Sequence, residues 1–371
     1  MKWGALNGGA VYMEFRPRSL RVLHETQSVA IPLERQPNGR LTTECREKVA
    51  LGLTGLLRRK SWQPRIKAVC AIDARGVSLR RLSLPASANE DVQKLLRLQI
   101  EREFPLAPDA LAWGFTRIDR HSKSANTSQD VVLAALKKEL IEDYAHVLNA
   151  AGINPVFTLA ALERARVCPG HGETFALLDI GRRQSELISF KDSAPESIRI
   201  LPWGGEDITK EIEQGLAVSQ EEAETLKLKW DEGPVPNGEV GSKVQAAIAK
   251  SLQSLAKAIN NAWSGDRLFL TGRGALYKEM PSRLKNLLPR VIECQRIDSQ
   301  GKEGPTAAIL GLKKAAENGS AAPALVLRLK GARSAEAPAQ PAENPAELVA
   351  WLVAQGREGA APAQRRLRTH A

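Results

Sequence analysis

The chain has 371 residues, 43% hydrophobic and 26% charged, which suits two or three globular domains that each bury a core. Its formal charge is +11, but Lys and Arg are dispersed and aromatic residues are only 5%, so a base-stacking nucleic-acid surface is not expected. No apolar run approaches the roughly 20 residues of a membrane-spanning helix and residues 1–9 lack a signal peptide's apolar stretch, so a cytoplasmic location is expected.

Residues 11–23 read as strand, turn and strand, and 41–57 carry a helical pattern. Ile66–Ile72 and residues 77–84 read as strands around a turn at 73–76. Asn89 is placed to cap the next helix, with Glu90 and Asp91 at the positive end of its dipole. Val92, Leu95, Leu96, Ile100 and Phe104 share one face of it, and Pro105 stops it. Leu111–Ile118 is predicted as a strand, 121–129 as a loop and 131–136 as another strand. A helix with Leu140, Ile141, Tyr144, Val147, Leu148 and Ala151 inward follows and ends at Gly152.

After a Gly-rich break at 169–172 a second half begins. Phe175–Ile180 is a continuous apolar strand, with 186–190 its neighbour across a turn. Helices are predicted over 208–216, over 219–230 with Ser219 and Glu222 as a capping box, and over 244–262. Lys243, Lys250 and Lys257 recur at seven-residue spacing on this last helix and read as a solvated face. A short buried strand at 268–270 enters Thr271-Gly272-Arg273-Gly274, and a final helix starts near Pro305. Residues 316–371 turn rich in Ala, Pro, Glu and Gly and read as a disordered tail, within which Leu348, Trp351 and Leu352 mark one short amphipathic helix. Cys45, Cys70, Cys168 and Cys294 form no CxxC pair and the five histidines are scattered, so neither a zinc site nor a disulfide framework is expected.

Strands followed by helices in two successive halves indicate an α/β protein with a sheet in each of two lobes. Residues 1–84 with 146–172 are assigned to the first lobe, 85–145 to an inserted small α+β subdomain, and 173–315 to the second lobe.

Several segments, in order, resemble the actin-like superfamily and within it the PilM branch beside FtsA. They are Arg80-Arg81-Leu82-Ser83-Leu84-Pro85 and Ile100-Glu101-Arg102-Glu103-Phe104-Pro105; Val132-Leu133-Ala134-Ala135-Leu136-Lys137-Lys138-Glu139-Leu140; and Leu178-Asp179-Ile180-Gly181. Leu201-Pro202-Trp203-Gly204-Gly205-Glu206-Asp207-Ile208-Thr209, Glu221-Glu222-Ala223-Glu224-Thr225-Leu226-Lys227 and Leu270-Thr271-Gly272-Arg273-Gly274-Ala275 complete the series. The resemblance covers roughly residues 10 to 315 and implies an actin-like (ribonuclease H-like) fold with ATP and magnesium between the lobes.

By that resemblance Glu14, Ser19 and Arg21 belong to a first phosphate hairpin, and Asp179, Gly181 and Ser185 to a second, with Asp179 facing the metal. Gly204, Gly205 and Lys227 are assigned to the nucleotide site as well, and Gly272 and Gly274 to the floor under the purine. The first hairpin departs from the pattern: Glu14 stands for an Asp, Arg16 for a Gly, and Pro17 has no N–H to donate to a phosphate. Arg16 either fills the space of the phosphates, or Arg16 or Arg18 pairs with them as a cation. Arg273 stands where a second Gly is usual. No catalytic residue is assigned. The resemblance implies a cytoplasmic scaffold of the type IV pilus inner-membrane platform with a degenerate ATP site. It would bind the N-terminal cytoplasmic segment of a PilN-like bitopic membrane protein, contact pilus motor ATPases, and reach the membrane only through its partner. An active actin-like ATPase and a cytoplasmic component of a type II secretion system are the alternatives.

Overall fold

The computed structural model describes residues 10–329, apart from 59, 61, 87, 119–127, 170–173, 193, 233–237, 278, 298–303 and 318–323. The amphipathic stretch around Leu348, most of the 121–129 loop and the Gly-rich break at 170–172 lie outside the described residues.

The first lobe opens with antiparallel β1 (Val11–Phe15), β2 (Ser19–His24) and β3 (Gln27–Pro32); Met13, Phe15, Leu20 and Val22 are buried on it. Helix α1 (Thr43–Leu57) starts where the Cys45 N–H donates to the Thr42 hydroxyl at 3.2 Å, and Cys45, Val49, Leu53 and Leu57, four apart, turn one face inward. β4 (Ile66–Ile72) pairs parallel to β1. The chain then passes through β5 (Ser78–Pro85), α2 (Asn89–Glu103), β6 (Leu111–Ile118) and β7 (Ser128–Lys137). It returns through α3 (Lys138–Ala150), β8 (Ile153–Leu159), which is parallel to β4, and the short α4 (Ala160–Ala165).

β5, β7 and β6 make a separate three-stranded antiparallel sheet, on which α2 packs Val92, Leu95, Leu96 and Ile100 against Leu84, Val131, Leu133 and Ala135. This unit corrects the expected limits of 85 and 145. β5 joins the small sheet from Ser78 because it ladders with β7, and α3 instead packs Ile141, Tyr144 and Leu148 into the first-lobe core. At the start of α2, Ala88 holds the cap position and Asn89 is already helical.

The second lobe contains β9 (Phe175–Ile180), β10 (Ser185–Lys191), β11 (Ala194–Leu201), α5 (Gly205–Leu216), α6 (Gln220–Glu232), α7 (Glu239–Ala262), β12 (Arg267–Thr271), α8 (Met280–Leu287) and β13 (Glu293–Arg296). The Ser219–Glu222 capping box forms: the Ser219 N–H and hydroxyl both reach the Glu222 carboxylate at 2.9 Å. The large sheets share one plan. Their orders are β3-β2-β1-β4-β8 and β11-β10-β9-β12-β13, with three antiparallel strands first and two parallel additions on the far side.

Helix α9 (Ala307–Glu317) leaves the second lobe and packs on the first, because Ala308 and Leu312 find apolar cover against Val69, Ala71 and Ala160. Thr306 rather than Pro305 sits at its entrance, its hydroxyl accepting from the Ile309 N–H at 3.4 Å. Residues 324–329, expected in the disordered tail, are also packed on the first lobe, with Leu325 and Leu327 buried in its core.

Candidate functional site

Two hairpin turns of equal length meet between the lobes. Phe15 pairs with Leu20 and Ile180 with Ser185, so residues 16–19 and 181–184 are the four-residue turns, and Arg16 stands where the second turn has Gly181. The first turn is closed by the Arg16 N–H on the Ser19 carbonyl at 2.9 Å. Arg35 braces it from behind, donating to the carbonyls of Pro17 at 2.9 Å and Arg16 at 3.2 Å while lying over the Tyr144 ring, which stacks on Phe15.

Five charged side chains fill the space between the turns. Arg164, on α4 and 2% exposed, donates to Glu14 of β1 at 2.6 Å and Glu186 of β10 at 3.1 Å, and lies 3.1 Å from Asp179 of β9. Arg16 reaches both Glu14 and Asp179 at 3.3 Å. The second oxygen of Glu186 accepts from the Ala74 N–H at 3.0 Å, in the turn after β4. Glu14, Arg16 and Arg164 come from the first lobe and Asp179 and Glu186 from the second, so the cluster ties the lobes together.

Burial pushes each of these carboxyls up, and their neighbours decide the outcome. For Glu14 and Asp179 the two guanidinium groups outweigh burial and hold both below the usual carboxylate range. For Glu186 burial, joined by the like charge of Asp179, outweighs Arg164 and the Ala74 N–H, and the carboxyl is pushed up to about 7. Burial would lower Arg164, but Asp179, Glu186 and Glu14 hold it well above its ordinary value.

The space between the two turns is small for the phosphates of magnesium–ATP. The cavity left between Arg16, Pro17, Asp73, Arg164, Asp179, Gly181, Gln184 and Glu186 is about 30 Å³, whereas ligand pockets run to roughly 300–1,000 Å³. Asp179 faces two guanidinium groups, which repel a divalent cation, so its expected metal role is not supported by its surroundings. With three carboxylates for two guanidinium groups, the cluster has no free positive charge to offer a phosphate.

The other expected residues are gathered nearby and engaged within the protein. Arg21 faces Glu14 across β1 and β2, and Ser19 gives its carbonyl to the first turn. A Cβ on Gly181 would lie 2.5 Å from the Gln184 carbonyl oxygen, so the turn's own backbone takes the room that a glycine leaves. The Ser185 hydroxyl donates to the Trp203 carbonyl at 2.8 Å. At the start of α5 the Gly204 N–H donates to Asp207 at 2.8 Å and the Gly205 N–H to the Gly181 carbonyl at 3.0 Å. Lys227 of α6 donates to the Gly205 carbonyl, Thr209 and Glu224 at 3.1, 2.8 and 2.6 Å. Gly272 lies against Asp179, and Gly274 against the Ile180 side chain. Sequence reading missed Arg164 and Glu186. Arg164 sits in Ala160-Ala161-Leu162-Glu163-Arg164-Ala165, where two charges among small apolar residues were the available signal.

A doubled sheet of one strand order with paired hairpins facing a shared cleft is the architecture of actin-like proteins. A non-polymerising mutant of MamK bound to AMPPNP matches at a TM-score of 0.50 and 10% identity over 84% of this chain and 100% of that one. The PilM–PilN type IV pilus biogenesis complex matches at a TM-score of 0.62 and 20% identity over 85% of this chain and 99% of that one. A 52-residue stretch is 46% identical to the cell division protein FtsA of Bacillus subtilis (strain 168), and spans 14% of this chain and 12% of that protein. The family model of the type IV pilus assembly protein PilM matches residues 28–293, and the chain belongs to that family.

Proposed function

We propose that the chain is a scaffold of the type IV pilus assembly platform that works without a nucleotide cycle, binding the cytoplasmic N-terminal segment of a PilN-like membrane protein. The observation that carries this reading is the Glu14–Arg16–Arg164–Asp179–Glu186 cluster. It bridges the lobes with protein side chains at the place where nucleotide would lie in an actin-like protein, and it leaves about 30 Å³. A relative solved as a PilM–PilN complex supports the partner class. In this reading the protein sits on the cytoplasmic face of the inner membrane through that partner; among the described residues no helix is long and apolar enough to cross a membrane.

Titration calorimetry of the full chain with the cognate partner's cytoplasmic N-terminal peptide, with and without magnesium–ATP, tests the reading. Saturable binding with the same affinity in both conditions is expected. Absence of heat with the peptide and in co-purification with the intact partner contradicts the partner assignment; binding that requires ATP contradicts the nucleotide-free scaffold.

A further inference from the structure

Between α1 and β4 the chain collects positive charge. Lys48, Arg58, Arg59, Lys60, Arg65 and Lys67 fall within residues 48–72, and no acidic residue does. Lys48, Arg58, Lys60, Arg65 and Lys67 are all exposed. Arg65 donates to the Asn149 side chain at 3.2 Å; among the described residues no carboxylate pairs with any of these basic groups.

Two large apolar side chains stand in the same surface. Trp62 is 76% exposed and Leu51 73%, whereas Trp203, Trp230 and Trp263 are all at 8% or less. Leu51 belongs to the outward stripe of α1, where Lys48, Leu51, Gly55 and Arg58 recur at three and four residues opposite the buried face. Trp62 rides on a closed turn: the Gln63 N–H donates to the Lys60 carbonyl at 3.1 Å, and the Lys60 N–H to the Gln63 side-chain oxygen at 2.9 Å. Arg58 ends the helix before this turn with a φ of 45°, an arginine in the left-handed conformation that glycine adopts more easily. A tied turn holds the indole out in advance, which spares the cost of ordering it on docking.

A lone exposed leucine is ordinary on a protein surface. A tryptophan and a leucine set among basic side chains is the chemistry of a lipid interface, because indoles favour headgroup depth and Lys and Arg are drawn to anionic headgroups. Nucleic acid fits less well, since one aromatic ring gives no platform for successive bases. The surface lies where β4 starts, at Ile66, and the cleft lies where β4 ends, at Ile72, roughly 20 Å along the strand. The turn between β2 and β3 brings one acid, Glu25, to the same end of the sheet, two strands from β4, and the surplus there stays positive.

We infer that this surface, Leu51 and Trp62 among Lys48, Arg58, Lys60, Arg65 and Lys67, lays the first lobe on an anionic lipid bilayer with the Trp62 ring at headgroup depth. It is a second hold on the membrane beside the partner of the scaffold reading, and it rests on its own residues. Each basic side chain near such a surface strengthens binding about fivefold at low salt.

The test sediments the full chain, with no partner present, against vesicles of phosphatidylglycerol and phosphatidylcholine in equal parts or of phosphatidylcholine alone. Binding to the anionic vesicles is expected, falling as salt rises, and none to the neutral ones. Trp62→Ser is expected to weaken it about tenfold, and Arg58→Gln with Lys60→Gln and Arg65→Gln about a hundredfold. All four side chains are exposed, so melting is expected to change little. Lipids brominated on their acyl chains are expected to quench tryptophan fluorescence in the wild type and to lose that effect in Trp62→Ser. No sedimentation with anionic vesicles at low salt overturns the inference, and so does sedimentation that both variants retain in full, which places the contact elsewhere on the chain. Binding of soluble polyglutamate that depends on Trp62, with no binding to vesicles, overturns the lipid assignment in favour of an acidic protein surface. If a variant does not fold, salt dependence and brominated-lipid quenching of the wild type decide alone. None of these results touches the partner assignment, because the partner is left out of the assay.

Discussion

The two hairpins that face the cleft occupy the same place in sheets of the same order and turn over the same number of residues, yet they differ in chemistry. Each strand end carries a buried carboxylate, Glu14 in the first lobe and Asp179 in the second. Across the ladder Glu14 meets Arg21, whereas Asp179 meets a second acid, Glu186. At the next corner the first hairpin puts Arg16 and the second Gly181. Thus the first hairpin contributes Arg16 and the second Asp179 and Glu186, and opposite charges meet across the gap with Arg164 between them. The contrast teaches that an α/β scaffold of this kind retains its strand order while a few residues at the hairpins and on α4 fill the cleft with protein charge.

The largest test of this contrast is the residue both hairpins share. Arg164→Met keeps volume but strands the buried Glu186 and leaves Glu14 and Asp179 to Arg16 alone, and is expected to lower stability by about 3–5 kcal/mol in urea unfolding. A loss below about 1 kcal/mol would mean that the hairpins do not depend on Arg164.

Next comes the acid that sets the second hairpin apart. Glu186 is raised to about 7 from 4.5, so it favours the folded state in its protonated form. That contribution is present below about pH 4.5 and is lost as pH rises to about 7, whereas Glu14 and Asp179, both depressed, contribute above the carboxylate range and lose their contribution as pH falls. The stability of Glu186→Gln relative to wild type is therefore expected to rise between about pH 4.5 and 7, by on the order of 3 kcal/mol, and then to level off. A difference that is flat with pH removes the asymmetry between the hairpins. The smallest effect is at the second corner, where Gly181→Ala is expected to cost about 1–2 kcal/mol through the Gln184 carbonyl; no measurable loss in thermal unfolding would show that the turn has room to spare.

The same contrast explains what the sequence made legible. The central strands of each sheet are apolar runs bounded by turn residues, and Ile66–Ile72 and Phe175–Ile180 were read to the residue. The strands left unassigned were β3, β8, β11 and β13, which are the outer strands of the two large sheets. An edge strand tolerates proline and polar side chains, as Pro155 in β8, Pro195 in β11 and Glu293 in β13 show, so its alternation is weak. In the site, Glu14, Arg16 and Asp179 were legible because they lie in short hairpins with a local pattern. Arg164 and Glu186 were not, because nothing local to α4 or β10 says that 150 residues separate Arg164 from its partner Glu14. The alternation of Leu325 and Leu327 was hidden for a related reason: the composition of the segment around it is that of a tail.

The central claim, that protein charges close the cleft between the lobes and leave no seat for nucleotide, is tested most directly by melting the full chain at increasing magnesium–ATP. The melting temperature is predicted to stay constant within about 1 °C up to millimolar concentrations. A saturating rise of about 4 °C or more, abolished by Asp179→Asn, would contradict the account, since it would require ATP to displace Arg16 and Arg164 from their carboxylates.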